Sequence, residues 1–250
     1  MDLKAGTPLG SLLIQAIDRD FMPESADVVL DWGALFEGTD PRTRRNLINS
    51  QNWNKKLRPA IRRASHKLRG LGYKKILVRG YMRLPTWFTV GTEFSKTASF
   101  EVTPMWNGQT WESEGETDDY PIRTTYDKKI SGKNEIAIAV AISADIFSDV
   151  NAFLKSKHSI GRFVMITPKN GPSNLSIKTA SQARGCSLKI RDLLRILTKK
   201  YNSKKVHLFL AMPCGLALLL GHRWDRMPDT QLYEDLGTRK GYAPSFMIPN

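Results

Sequence analysis

A chain of 250 residues with 41% hydrophobic content can bury one large core or two small intimate ones, which excludes a disordered tail. Lys and Arg number 38 against 24 Asp and Glu, a formal net charge of +14, so the partners to look for are polyanions: nucleic acid, nucleotides or an anionic surface. Two cysteines without CxxC spacing, no signal-peptide pattern and no apolar run of about 20 residues argue against a metal knuckle and a membrane span, and point to a reducing, cytoplasmic setting.

Residues 7–19 carry Leu9, Leu12, Leu13, Ala16 and Ile17, the i, i+3, i+4, i+7, i+8 stripe of an amphipathic helix. Val28 to Asp31 is a short apolar strand. Residues 42–72 are helical, with Trp53, Leu57, Ile61, Ala64 and Leu68 on one face, cations over the rest, and Pro59 set to kink or break the helix. Gly70 and Gly72 end it, and Ile76 to Val78 is the next strand. Residues 97–111 alternate polar with apolar as an antiparallel strand does. Residues 111–133 are polar, acidic and then basic, and read as a connection between halves.

The second half opens on the strand EIAIAVAIS from Glu135, followed by a helix that Asp145 can cap. Residues 162–166 form a strand that runs into a turn-rich segment, residues 167–174. A long amphipathic helix covers 176–200, with Cys186, Ile190, Leu193, Leu194 and Leu197 on its buried side. The last unit, VHLFLAMPCGLALLLGHRWD from Val206, is a buried strand, a proline turn and a short apolar helix ending near Gly221. KKILVRGYMRLPTWFTVG from Lys74 has the same layout at a fixed offset: 205 − 75 = 130 for the lysines and 221 − 91 = 130 for the glycines. Strands separated by helical crossovers imply mostly parallel sheets with ligands at the strand carboxyl ends.

Catalytic patterns are missing from the sequence. His66, His158, His207 and His222 are scattered, and no HExxH, HNH, GxSxG or Walker A spacing occurs. His207, inside a strand, reads as a satisfied core histidine. His222, at a helix end, reads as a positive group suited to the dipole. Cys214 begins a helix, where a thiol pKa can fall, and a small residue chosen for space explains it as well.

Six segments carry a family resemblance. VLDWGALFEG and RGYMRLPTWFTVG in the first half, then IAIAVAISADIFSDVNAFL, RFVMITPKNGPS, VHLFLAMPCGLALLLGHRWD and the tail LYEDL…GYAPSFMI, are similar in order and spacing to the SAVED domain. That domain is the sensor module of bacterial CBASS anti-phage defence. The resemblance spans nearly the whole chain, and no single motif is diagnostic. It implies an α/β fold of two fused CARF-like (Rossmann-like) units in a pseudo-two-fold arrangement, with halves 1–125 and 126–250. It also implies a cyclic di-, tri- or tetranucleotide ligand from a partner cyclase, and an effector switched by ligand-induced self-association. No cofactor or metal is expected. Family members often carry an N-terminal HNH DNA endonuclease or TIR NADase. The sequence has neither pattern, so a non-catalytic sensor, excised or stand-alone, is expected. The alternative is a ring nuclease or a basic DNA- or RNA-binding accessory protein.

A cyclic oligonucleotide presents phosphates and base faces. The candidate ligand residues follow strands. In the first half they are Trp32 and Phe36, then Arg83, Thr86 and Trp87. In the second they are Thr167, Lys169, Ser173 and Asn174, then Pro213, Cys214 and Gly215. Arg83 and Lys169 are expected on phosphate or a base edge, Trp32 or Trp87 under a base, and the backbone of Cys214 and Gly215 beside the ligand. Core packing accounts for the aromatics equally well.

Overall fold

A computed structural model describes residues 8–16, 25–38, 46–106, 108–237 and 240–250. The first sheet has the strand order β2-β1-β3-β4-β5. Its strands are β1 (Leu9–Gln15), β2 (Val28–Asp31), β3 (Lys75–Tyr81), β4 (Glu101–Trp106) and β5 (Gln109–Thr110), with helices α1 (Arg58–Gly70) and α2 (Leu84–Glu93) in the crossovers. The second sheet has the order β11-β10-β9-β7-β8-β6. Its strands are β6 (Ile122–Lys129), β7 (Glu135–Ala141), β8 (Ile160–Pro168), β9 (Lys205–Ala211), β10 (Asp229–Asp235) and β11 (Tyr242–Ile248). Helices α3 (Phe147–Leu154), α4 (Ala180–Lys200) and α5 (Cys214–His222) connect them.

Without the edge strand β6, the two sheets share one plan. A first strand sits between the second and third, a fourth runs parallel to the third, and a fifth returns antiparallel. β3 and β9 are seven residues each and start 130 positions apart, and α2 and α5 start 130 apart as well. The glycines at this offset meet across the molecule. A Cβ on Gly91 would lie 2.2 Å from the Leu218 carbonyl oxygen, and one on Gly221 would lie 2.0 Å from the Phe88 carbonyl oxygen. Phe88 and Leu218 are themselves 130 apart. The contact is reciprocal, as a pseudo-two-fold axis between two Rossmann-like units requires.

α5 is apolar all round because it is covered on every side. Every residue from Gly215 to His222 is buried, with α2, α4 and β4 packed against the helix. β7 alternates by size rather than polarity. Ile136, Ile138 and Val140 enter the core shared with the first sheet, while Ala137, Ala139 and Ala141 face a smaller cluster under α3. The small alanines let α3 approach the sheet.

Four sequence expectations are corrected. The stripe over residues 7–19 is the strand β1, hydrogen-bonded on both sides, with Leu12, Leu13, Ile14 and Ala16 buried; Thr7, Ile17 and Arg19 lie outside the described residues. A strand buried on both faces has no polar side, so a short apolar run fits either period. The helix over 42–72 begins as a π-helical turn, Trp53–Leu57, and becomes α-helical at Arg58, with Pro59 in the first turn of α1, where its missing N–H has no role; residues 42–45 lie outside the described set. Over 97–111, β4 pairs parallel with β3 and is antiparallel only to β5. The polar connection 111–133 contains β6, an edge strand with an exposed polar face, antiparallel to β8. Its acidic part is tied to α4, where Arg184 Nε and Nη1 donate to the carbonyls of Glu116 and Glu112, both at 2.8 Å.

Candidate ligand cleft

A cleft of about 290 Å³ opens at the carboxyl ends of β3, β7, β9 and β10, where the amino ends of α2 and α5 converge. This is the place where an open parallel sheet takes its ligand, because strand order reverses between β7 and β9. Each wall follows from local sequence. β3 ends at Tyr81, and Arg83 stays extended ahead of α2, with Pro85 in the first turn. β9 ends at Ala211. Pro213, fixed at φ −58°, precedes α5, and its carbonyl accepts the Ala217 N–H at 3.1 Å. The N–H groups of Cys214, Gly215 and Leu216 therefore precede the first intrahelical bond. The Ile142 and Ser143 N–H groups both donate to the Ala211 carbonyl, at 2.7 and 2.9 Å, which pins the exit of β7 to that of β9. Asp145 accepts the Phe147 N–H at 2.8 Å from one residue ahead of Ile146, which holds the cap position of α3.

The electrostatics are mixed. Arg83 brings a guanidinium whose Nε lies 3.7 Å from Glu234 at the end of β10, and both side chains are largely shielded from solvent. Asp235 adds a second carboxylate. Burial, reinforced by Glu135, pushes the Tyr233 phenol up to about 12. Burial and the nearby Asp235, Asp149 and Glu234 push Tyr242 higher still. Both phenols stay protonated at neutral pH. Burial carries the Cys214 thiol up to about 12 despite the opposing pull of its own backbone and Arg83, which favours the reading of a small residue chosen for space. A helix amino end lowers a thiol pKa only where water or a strong cation offsets desolvation. The cleft offers a cation, carboxylates, phenols and backbone N–H groups, which is equipment for binding.

The other sequence candidates fall into three places. Arg83 and Cys214 line this cleft, with Pro213 as the cap behind it. Lys169 and Ser173 line a separate cleft of about 400 Å³ beside Asp118, Asp119 and Tyr120. The Ser173 N–H donates to the Ile142 carbonyl at 3.0 Å, so this loop is tied to the exit of β7 that borders the first cleft. Asn174 is exposed next to it, and Thr167 is buried with its hydroxyl donating to the Pro168 carbonyl. Trp32, Phe36 and Trp87 belong to the core. Trp87 is 1% exposed and Trp32 6%, and Phe36 packs edge-on against Trp53, so no ring face is open to a base. Thr86 is buried beside Trp87. The space next to Gly215 is filled by Trp111, whose Cε3 would lie 2.7 Å from an added Cβ.

Sequence reasoning missed Ser143, Ala144, Tyr233, Glu234, Asp235 and Tyr242, all of which line the cleft. Position gave a usable signal for Ser143 and Ala144, which follow an obvious strand. The β10–β11 residues gave none, because pairing rather than pattern brings them to this edge. The two buried histidines are scaffold. His207 is held by the Tyr233 hydroxyl and Glu135, both at 2.8 Å, and desolvation lowers its pKa although Glu135 opposes this, so the neutral form dominates. His222 is not the positive group expected at a helix end: it is buried, donates from Nδ1 to the Phe94 carbonyl, and is pushed down to about 4 by burial.

Two Rossmann-like units with facing helices and a crevice at their strand carboxyl ends define a ligand-binding class of α/β protein. The family model described as "SMODS-associated and fused to various effectors sensor domain", SAVED, matches residues 50–248, and the chain belongs to this family. CD-NTase-associated protein 4 from Enterobacter hormaechei subsp. hoffmannii (strain UCI 50) is 23% identical over 238 residues, covering 92% of this chain and 46% of its own. The protein of the same name from Moraxella osloensis is 24% identical over 209 residues, covering 80% and 41%. Among solved structures, the Acinetobacter baumannii Cap4 SAVED/CARF-domain containing receptor with the cyclic trinucleotide 2'3'3'-cAAA superposes with a TM-score of 0.75 at 18% identity, over 96% of this chain and 52% of that one. The same receptor described without a ligand gives 0.70 at 20% identity, over 96% and 50%. The chain spans about half the length of the relatives it matches.

Proposed function

We propose that this chain is the sensor portion of an anti-phage defence protein and binds a cyclic oligonucleotide in the cleft between α2 and α5. A partner cyclase supplies the ligand, and its binding switches an effector by promoting self-association. The observation that carries this reading is the cleft itself, at the strand carboxyl ends, in a fold shared over 96% of the chain with a receptor solved with a cyclic trinucleotide. Arg83 and the N–H groups at the start of α5 suit phosphate, and the carboxylates and phenols of β10 and β11 suit base edges. Binding rather than cleavage is supported by the protonated Cys214 thiol and the two protonated phenols, none of which is an activated nucleophile.

Calorimetry with cyclic di-, tri- and tetranucleotides tests the reading. One ring size binds, and its linear counterpart binds worse. Arg83→Ala weakens binding about tenfold or more, since a hydrogen bond to a charged group is worth about 1.5–3 kcal/mol. Ser143→Tyr, which places a ring in the cleft that Ser143 lines, abolishes it. Light scattering on an effector-bearing form shows a mass increase with ligand. A folded parent that binds no cyclic nucleotide, or binds with Arg83→Ala and Ser143→Tyr unchanged, overturns the assignment.

A further inference from the structure

The amino-terminal edge of the second sheet, opposite the ligand cleft, carries a surface of another kind. Two adjoining clefts of about 630 and 310 Å³ open where β7, β8, β9 and β10 begin, and Asn202 and Ser203 line both. Lys129 and Lys133 border the smaller; Lys199, Lys204 and Arg226 border the larger. All five are exposed, and none has an ion-pair partner among the described residues. Beside α1, by contrast, Arg58 and Arg62 pair with Glu93, and Arg69 lies over the Phe100 ring. The carboxylates of this edge are engaged as well. Glu135 takes His207 Nε2 at 2.8 Å, and Asp229 takes the Asn250 N–H at 2.9 Å. Tyr201 lies under the Arg162 guanidinium at 3.9 Å, with Lys200 at 4.9 Å, and its hydroxyl donates to Asp127.

The edge thus presents cations, amides and hydroxyls in a continuous track, while its aromatic ring is occupied by cations. Phosphates are recognised by Lys, Arg, Ser, Thr and Asn donors, whereas single strands need aromatic platforms on which bases stack. We propose that this edge is a docking surface for the phosphate backbone of duplex nucleic acid. The chain's +14 charge adds a long-range attraction that grows with the charge density of the partner, and a duplex carries a charge about every 1.7 Å. Contacts of this kind carry no base information, so binding is independent of sequence. The surface lies at the far edge from the ligand cleft, and the proposal does not rest on the cyclic-nucleotide reading.

Fluorescence anisotropy with a random duplex of about 30 base pairs, from about 50 to 200 mM salt, tests it on the full chain. Five phosphate contacts at about 0.9 each give a slope near −4.5 in log affinity against log salt. The triple reversal K133E/K199E/K204E weakens binding by roughly tenfold or more and reduces the slope by about 2.7. The reversal K55E/K56E/R63E, on the exposed face around α1, changes net charge equally and binds like the parent. Cyclic trinucleotide binding by K133E/K199E/K204E matches the parent. The proposal fails if the α1 reversal costs as much, which makes bulk charge the cause. It fails if poly-glutamate of equal charge competes as well as duplex, if single-stranded DNA binds more tightly, if K133E/K199E/K204E loses the cyclic ligand, or if no duplex binds.

Discussion

His222 shows how burial overrides a local rule. A histidine at a helix carboxyl end gains from the dipole when charged, by about 0.3–1 kcal/mol on a surface. Here the ring is buried, Nδ1 serves the Phe94 carbonyl, and Nε2 has no hydrogen-bond partner among the described residues, so a proton there would go unsolvated. Its folded pKa of about 4 lies below the unfolded value of about 6.5. Between these values the unfolded chain binds more protons, so the stability contribution is full above about pH 6.5 and is lost as pH falls toward 4. The window corresponds to about 3 kcal/mol. Urea midpoints measured between pH 7 and 4.5 should fall, and His222→Gln should flatten the part of that fall above pH 5. An equal slope in parent and variant assigns the effect to other groups.

At the scale of elements, the pairing of α2 with α5 decides the architecture. Two glycines bring backbones together so closely that any side chain meets a carbonyl oxygen, which cannot rotate away as a side chain can. Gly221→Ala should cost about 1–3 kcal/mol, lowering Tm by roughly 3–10 °C. Gly91→Ala should cost a similar amount, because it faces the same contact from the other unit. Gly70→Ala, at the end of α1 with open space around its Cβ, should be neutral or slightly stabilising. Differential scanning of the three variants checks this ordering. Wild-type melting in both Gly91→Ala and Gly221→Ala contradicts the tight contact.

For the whole molecule, one hydrophobic core runs through both units. Leu12, Ile14 and Val78 of the first sheet, Ile136 and Leu208 of the second and the helix α5 belong to one contiguous cluster. Separating the units would expose α5 on most of its surface, which makes independent folding unfavourable. Equilibrium unfolding should therefore be a single transition. Tryptophan emission, weighted to the first half by Trp32, Trp53, Trp87, Trp106 and Trp111, should superimpose on far-UV circular dichroism. Two separated transitions would show that the units are stable alone.

The parts of this protein that depend on local chemistry are legible in its residues alone. The prolines at the starts of α2 and α5, the alternating β7 and the Asp145 ahead of α3 express rules that act within a few residues, and the repeat at offset 130 is legible as order and spacing. The sequence also carried the family resemblance through the order of its segments. Tertiary structure decided the rest. β1 has the same apolar stripe as a helix, and only its hydrogen bonds to β2 and β3 fix it as a strand. Trp32, Phe36 and Trp87 have the chemistry to stack on bases, and the core claims them first. Arg83 and Cys214 were legible because helix starts mark strand carboxyl ends. Glu234 and Tyr242 were not, since they reach the cleft only through long-range pairing of β10 and β11, which no local pattern encodes. Burial also set the charge states of Cys214 and His222 against their positions on their helix, because desolvation depends on everything packed around a group and not on its neighbours in sequence.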